Sequence, residues 1–134
     1  MNAYDLSAVK VLVVDDEDTY RRRLRMFLRQ RGATVRTASD AHRALTLVKQ
    51  FRPDVLIVDW MLMNSVDGLE LSDTLRGSNP ALQTIVITGY LSAELEERVR
   101  QVPNTCCLSK PFQTTELVEL VHRLGPSAAS ADEP

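Results

Sequence analysis

The sequence predicts a single α/β domain with a doubly wound parallel sheet, and three observations support that fold class. Short apolar runs alternate five times with amphipathic runs of helical periodicity. The apolar runs around 11–14, 54–58 and 84–87 show almost no polar alternation, which is typical of strands buried on both faces. The chain has 134 residues, the length of one domain. Right-handed crossovers then predict a three-layer (βα)₅ arrangement.

The first half of the predicted fold contains three strands, at 9–14, 33–38 and 54–58. A helix follows the first strand because apolar residues recur on one helical face, and Gly32 is placed to end it. Ser39 is the expected N-cap of the second helix. The apolar faces consist of Tyr20, Leu24, Phe27 and Leu28 in the first helix and Ala41, Ala44, Leu45 and Val48 in the second.

The second half continues the alternation with a helix around 69–75 and strands at 84–87 and 105–108. Ser92 is the expected N-cap of the helix between those two strands, where glutamates suit the positive end of the helix dipole. The last helix is predicted from an apolar face that consists of Leu117, Leu120, Val121 and Leu124.

The predicted domain spans residues 9–124, after a short lead at 1–8. Residues 125–134 are rich in alanine, serine, proline and acids, and are expected to form a flexible tail or the start of a linker. Val118 lies off the main apolar face of the last helix, so it is the candidate for a homodimer surface.

Composition narrows the class of protein. Apolar residues make up 44% of the chain and charged residues 25%, as in ordinary globular proteins. A net charge of −2 argues against direct nucleic-acid binding, which usually needs a basic excess. No apolar run is long enough to span a membrane, so we expect a cytoplasmic protein. Cys106 and Cys107 are adjacent and are expected to be buried thiols in a reducing compartment.

Chemistry-bearing residues follow four of the five predicted strands. In open α/β sheets, ligands bind beyond the carboxyl ends of the strands. A sheet of order 2-1-3-4-5, as in flavodoxin-like folds, places the first strand beside the third, so the acids that follow them converge. The residues at this edge are Asp15, Asp16 and Glu17 after the first strand, Asp59 after the third, Thr88 after the fourth, and Ser109 and Lys110 after the fifth.

This cluster is suited to a divalent cation and a phosphoryl group. Asp15, Asp16 and Asp59 would repel one another at close range, and a bound cation removes that conflict. Oxygen-only ligation favours Mg²⁺, which also accepts phosphate oxygens. Lys110 can balance phosphoryl charge, and Thr88 can donate a hydrogen bond. A central carboxylate can itself act as the nucleophile and form an aspartyl phosphate.

The chain resembles the receiver domain of bacterial two-component response regulators, the family of the chemotaxis regulator, over nearly its whole length. The matching motifs are VLVVDDE at 11–17, DVLIVD at 54–59, DG at 67–68, IVITG at 85–89 and LSKPF at 108–112. The resemblance implies a phosphorylation-controlled switch that catalyses only its own phosphorylation and dephosphorylation, and is not otherwise an enzyme. Its implied phosphodonor is a sensor histidine kinase or a histidine phosphotransfer protein, and its implied target is a downstream effector or an output domain.

The resemblance also implies a role for each site residue. Asp59 would be the phosphoacceptor. Asp16 would bind Mg²⁺ directly, Asp15 mainly through a water molecule, and Met61 through its backbone carbonyl. The site residues that the resemblance implies are therefore Asp59, Thr88 and Lys110 for phosphoryl transfer, and Asp15, Asp16, Asp59 and Met61 for the metal.

Two features depart from the family pattern. Gly68 lies nine residues after Asp59, one more than usual, so the intervening loop is expected to have its own shape. Cys107 occupies the position, three before the lysine, where the family often has an aromatic switch residue.

Two alternative functions remain from the sequence. One is a pseudo-receiver that serves as a constitutive protein-interaction module, and the other is a phosphatase with an aspartyl-phosphate intermediate. The intact acids, threonine and lysine argue against the first. Such phosphatases usually carry a second acid two residues after the nucleophile, where this chain has Met61.

Overall fold

The computed structural model describes residues 4–60 and 67–126, and these form a five-stranded sheet between two layers of helices. The elements, in chain order, are β1 (Lys10–Val14), α1 (Asp18–Gln30), β2 (Thr34–Ala38), α2 (Ala41–Phe51), β3 (Val55–Asp59), α3 (Gly68–Ser78), β4 (Gln83–Thr88), α4 (Ala93–Arg100), β5 (Thr105–Ser109) and α5 (Thr114–Leu124). No helix in the described ranges combines the length and apolar character that a membrane span requires.

The sheet is parallel throughout and has the predicted order β2-β1-β3-β4-β5. Alternate strand residues face opposite layers, as the pleat requires. In β1, Val11 and Val13 pack with α1 and α5, whereas Leu12 and Val14 pack with α2, α3 and α4. Because both faces are covered, the strands are apolar at successive positions. The (βα)₅ prediction is therefore confirmed.

The ends of the helices follow local rules. Gly32 adopts a φ of +101° just after α1, a conformation that residues with a Cβ rarely adopt, and its N–H donates to the carbonyl of Arg29. Ser92 caps α4 as predicted, since its side chain accepts a hydrogen bond from the N–H of Leu95. Asp67 caps α3 in the same way through the N–H of Glu70.

Two local expectations are wrong. Asp40, not Ser39, is the N-cap of α2, because its carboxylate accepts the hydrogen bond from the N–H of Arg43 at 2.8 Å. Val118 does not offer a dimer surface. It is fully buried against the α1–α5 side of the core, because the apolar stripe of α5 is wider than the sequence pattern indicated.

Candidate functional site

The three predicted acids meet at the carboxyl edge of the sheet, which is the edge where the strands end. Asp15 and Asp16 directly follow β1, Asp59 is the last residue of β3, and the two strands are hydrogen-bonded neighbours. One carboxylate oxygen from each of the three residues lies within 4.8 Å of the others. The adjacency of the two strands in the sheet therefore produces the acidic cluster.

Asp15 is the most enclosed member of this cluster, with only 2% of its surface exposed. Burial, aided by the negative charge of Asp59, raises the pKa of Asp15 to about 6. A hydrogen bond from the N–H of Glu17, at 2.8 Å, acts in the opposite direction and fixes the carboxylate. The cluster thus holds a carboxylate that is costly to ionise unless a cation binds to the cluster.

Lys110 brings a positive charge to the same edge. Its Nζ lies 3.9 Å from Oδ2 of Asp59. The backbone N–H of Lys110 donates to the carbonyl of Thr88 at 2.7 Å, which continues the β4–β5 pairing one residue beyond β5. The lysine is therefore placed by the sheet itself, and its side chain extends to the carboxylate at the end of β3.

Thr88 is buried at the end of β4, and its hydroxyl is engaged by the loop that follows. The hydroxyl donates to the carbonyl of Tyr90 at 2.9 Å and accepts from the N–H of the same residue at 3.1 Å. The Tyr90 side chain itself is 79% exposed. Thr88 would have to exchange this local hydrogen bond to contact a ligand beside Asp59.

The residues on either side of the β3–α3 loop pack closely. A Cβ on Gly68 would lie 2.8 Å from the backbone oxygen of Asp59, so only glycine fits there without a shift. Trp60 is half-buried, and the guanidinium of Arg98 lies 4.9 Å from its ring centroid. Arg98 also pairs with Asp67 at 3.3 Å. The expected carbonyl ligand at Met61 and the longer loop fall at 61–66, outside the described residues.

Cys107 packs against the α2–α3–α4 side of the core, at the position where the family often has an aromatic residue. Its side chain is half-buried, and burial raises the pKa of the thiol to about 11. Both cysteines are free thiols. A small thiol cannot exchange between an inward and an outward aromatic rotamer, so any structural readout of this site must use other side chains.

A groove of about 570 Å³ opens beside Lys110, between α1 and the start of α5. Its lining is largely apolar and includes Leu24, Phe27 and Phe112. Tyr20 also lines it, and the Lys110 ammonium lies 4.2 Å from the centroid of the Tyr20 ring. The sequence pattern identifies Tyr20 only as part of the apolar face of α1. An aromatic side chain in the first turn after the acidic motif was the available signal.

The donor set at the acidic cluster fits Mg²⁺. The nearby ligand atoms are carboxylate oxygens, which are hard donors, and few protein groups converge. A divalent cation would also offset the repulsion that contributes to the raised pKa of Asp15. Asp15, Asp16 and Asp59 are the described residues that could hold the ion.

Comparison with known proteins agrees with this geometry. Residues 11–122 match the family model described as the response regulator receiver domain. The response regulator MprA of Mycobacterium tuberculosis is 36% identical over 119 residues, which cover 87% of this chain and 50% of MprA. The probable transcriptional regulatory protein TcrX of the same species is 33% identical over 118 residues, covering 88% of this chain and 50% of TcrX. The chain thus spans about half the length of these relatives.

Solved structures show the same fold. The chemotaxis protein CheY4 of Vibrio cholerae aligns with a TM-score of 0.79 at 30% identity, covering 87% of this chain and 98% of CheY4. NtrX from Brucella abortus aligns with a TM-score of 0.79 at 30% identity, over 87% of this chain but only 27% of NtrX. With the family model matching most of its length, the chain belongs to the response regulator receiver domains of bacterial two-component systems.

Proposed function

We propose that this domain is a phosphorylation-controlled switch that accepts a phosphoryl group on Asp59 from a histidine kinase or a histidine phosphotransfer protein. The observation that carries the proposal is the placement of Asp59 within a cluster of three carboxylates, with the Lys110 ammonium 3.9 Å away. An acid at the centre can act as nucleophile, and the lysine can balance charge on the incoming phosphoryl oxygens.

Asp15, Asp16 and Asp59 would hold Mg²⁺, with the Met61 carbonyl as a further proposed ligand. When bound, Mg²⁺ supplies positive charge that lets phosphoryl and carboxylate oxygens approach one another. The protein's own contribution is to hold these carboxylates on adjacent strands. In the transfer, an oxygen of Asp59 forms a bond to phosphorus, and the bond from phosphorus to the donor breaks with its electron pair leaving on the donor.

Thr88 and Lys110 would respond to the new phosphoryl group. Lys110 already lies beside Asp59, whereas the Thr88 hydroxyl is bonded to the loop at Tyr90. A phosphoryl oxygen is a stronger acceptor than a backbone carbonyl because it is charged. We therefore expect phosphorylation to draw the Thr88 hydroxyl away from Tyr90 and to rearrange the β4–α4 loop.

The charge distribution supports an acidic phosphodonor. Residues 10–52, which form β1, β2, α1 and α2, contain 11 of the 16 lysines and arginines but only five acids. Helix α1 alone contains five arginines. It borders the groove next to Lys110, so its charge would raise the association rate of an acidic partner docking there.

The wider organisation is also part of this proposal. We propose that residues 9–124 form the switch, that residues 125–134 form a tail or lead into a linker, and that the protein acts in the cytoplasm on an effector or an output domain. The relatives MprA and TcrX are about twice as long as the matched region, which is consistent with an output domain in proteins of this kind.

Intact mass after incubation with acetyl phosphate and Mg²⁺ tests the proposal. The parent should gain one phosphoryl group, with acetate released, and Asp59→Asn should gain none. Asp73→Asn is the matched control, because this exposed aspartate lies on α3, where it pairs with Arg76, and is not part of the acidic cluster.

Each other outcome overturns the proposal. No phosphoryl group on the parent, together with no affinity for Mg²⁺, would favour the pseudo-receiver. Release of many equivalents of inorganic phosphate from varied phosphoesters would favour the phosphatase. Equal labelling of Asp59→Asn would place the acceptor elsewhere.

A further inference from the structure

Tyr20 lies in the first turn of α1, and its ring forms one wall of the space that holds the Lys110 ammonium. The Lys110 Nζ is 4.2 Å from the centroid of the Tyr20 ring, well within the range of a cation–π contact. The same nitrogen is 3.9 Å from Oδ2 of Asp59. The ammonium therefore contacts both the aromatic face and the carboxylate of the proposed acceptor.

The ring is itself held in place. It meets the ring of Phe112 edge to face, with ring centroids 6.4 Å apart and planes at 88°. It also packs against the buried side chains between the sheet and helices α1 and α5. The adjacent Arg21 donates to the carbonyl of Asp15 at 2.8 Å, which fixes the start of α1 relative to the acidic cluster.

The position of the Lys110 ammonium is not fixed by the backbone of Lys110 alone. Its backbone is fixed by the hydrogen bond to Thr88, but its ammonium lies at the end of a flexible four-carbon chain and is strongly hydrated. An ammonium has three N–H donors and no acceptor. An aromatic face can take the place of water on one side and leave the other donors for carboxylate and phosphoryl oxygens.

We propose that Tyr20 is a positioning residue for phosphoryl transfer, which holds the Lys110 ammonium beside Asp59 through its aromatic face. The inference rests on the proposed function of Asp59 as acceptor. It assigns to Tyr20 a role that acts through Lys110, whereas a tyrosine that only fills the core would act on stability alone.

Three substitutions separate these roles. Tyr20→Phe keeps the aromatic face and removes the hydroxyl, while Tyr20→Leu and Tyr20→Met keep apolar bulk and remove the ring. With acetyl phosphate and Mg²⁺, we expect Tyr20→Phe to be phosphorylated at close to the parent rate. We expect Tyr20→Leu and Tyr20→Met to slow phosphorylation by roughly 3- to 30-fold, which corresponds to the free energy of one cation–π contact. Two non-aromatic variants guard against one that folds poorly.

Phe51→Leu is the matched control. Phe51 ends α2, at the opposite edge of the sheet, and its ring contacts two cations, Lys10 at 5.7 Å and Arg36 at 5.1 Å. Its replacement removes an aromatic ring and cation–π contacts but should leave the phosphorylation rate unchanged. Equal slowing by Phe51→Leu would mean that loss of any such contact slows the reaction, and would overturn the inference.

A double-mutant cycle tests whether Tyr20 acts through Lys110. In a Lys110→Ala background, Tyr20→Leu should have no further effect on the rate. An undiminished effect in that background would overturn the inference, as would a parent-like rate for Tyr20→Leu alone. A rate for Tyr20→Phe as slow as that for Tyr20→Leu would also overturn it, because it would assign the role to the hydroxyl.

A spectroscopic readout separates this inference from the proposed function. The ring current of Tyr20 should shift the ε-methylene protons of Lys110 upfield in the parent and in Tyr20→Phe, and not in Tyr20→Leu. The shifted resonance can be assigned to Lys110 because it should be absent from the spectrum of Lys110→Arg. A shifted signal without phosphorylation of the parent would overturn the proposed function but retain the contact, whereas phosphorylation without the shift would overturn only the role of Tyr20.

Discussion

The amino and carboxyl edges of the sheet differ in how they treat buried polar groups. At the amino edge, where the strands begin, Asn79 donates through Nδ2 to the carbonyl of Pro53 at 2.7 Å, and the hydroxyls of Ser72 and Thr84 bond to each other at 2.7 Å. At the carboxyl edge, three carboxylates lie within 4.8 Å of one another, and Asp15 among them is nearly inaccessible to solvent.

This difference indicates which edge contributes to stability and which to function. Hydrogen bonds such as those of Asn79 with Pro53 and of Ser72 with Thr84 stabilise the amino edge. Carboxylates that cluster at the carboxyl edge repel one another, so they lower the stability of the protein until a cation or a proton binds. An arrangement that costs stability is expected where the site must bind a charged ligand.

Among the substitutions that test how the two edges differ, Asp15→Asn is expected to change the free energy of unfolding the most. The pKa of Asp15 in the folded protein is about 6, above its ordinary value of 3.8. Between about pH 4 and pH 6, Asp15 is therefore still protonated in the folded state but already ionised in the unfolded state. Because the unfolded state loses its proton first, the stability of the protein falls as the pH rises through that window. Above pH 6, removing this charge should raise the free energy of unfolding by up to about 3 kcal/mol.

Urea titrations in EDTA at several pH values would measure this effect. The parent should lose stability between about pH 4 and pH 6 relative to Asp15→Asn, and Mg²⁺ should narrow the gap at pH 7.5 because it binds the charged form. The control Glu97→Gln removes a carboxylate from an exposed pair with Arg100 and should change stability little. A variant at Asp15 that is less stable than the parent at pH 7.5 in EDTA would contradict the view that the cluster is destabilising.

Two glycines of α3 allow a second test with matched substitutions. Gly68→Ala should destabilise by about 1–3 kcal/mol, because the new Cβ would lie 2.8 Å from the backbone oxygen of Asp59. Gly77→Ala should instead stabilise by about 0.5–1 kcal/mol, since its Cβ would meet nothing within 4 Å and alanine favours a helix.

Thermal and urea unfolding of both alanine variants would check these opposite signs. Gly68→Ala should also weaken Mg²⁺ binding, because the displaced backbone belongs to Asp59. Equal stability changes at the two positions would show that the contact beside Asp59 is looser than the structure indicates.

The site residues that could be predicted from the sequence are those at or directly after the ends of strands. Asp15, Asp59 and Lys110 follow apolar runs, and the parallel sheet brings such positions to one edge whatever the loops between them do. The order of the strands and the alternation of elements follow from the same runs. For this reason both the fold and the meeting of the acids could be predicted.

Features that depend on side-chain packing could not be predicted. Ser39 and Asp40 are both good N-caps, and only the backbone geometry selects Asp40. Val118 was misassigned because the width of the buried stripe on α5 depends on how deeply the helix packs against the sheet. The contact between Tyr20 and Lys110 joins residues that are ninety positions apart, so no local pattern reveals it.

Asn79→Ala, at the amino edge, is expected to change stability less than Asp15→Asn does, and with the opposite sign. Its Nδ2 donates to the backbone carbonyl of Pro53, which is a buried residue, and truncation leaves that carbonyl without this donor, so stability should fall by about 1–2 kcal/mol. The exposed amide of Gln30 provides the control, since Gln30→Ala should change stability little. Because this edge is remote from Asp59, the rate of phosphorylation by acetyl phosphate should not change. If Asn79→Ala slowed phosphorylation severalfold while the protein remained folded, the two edges of the sheet would not be independent.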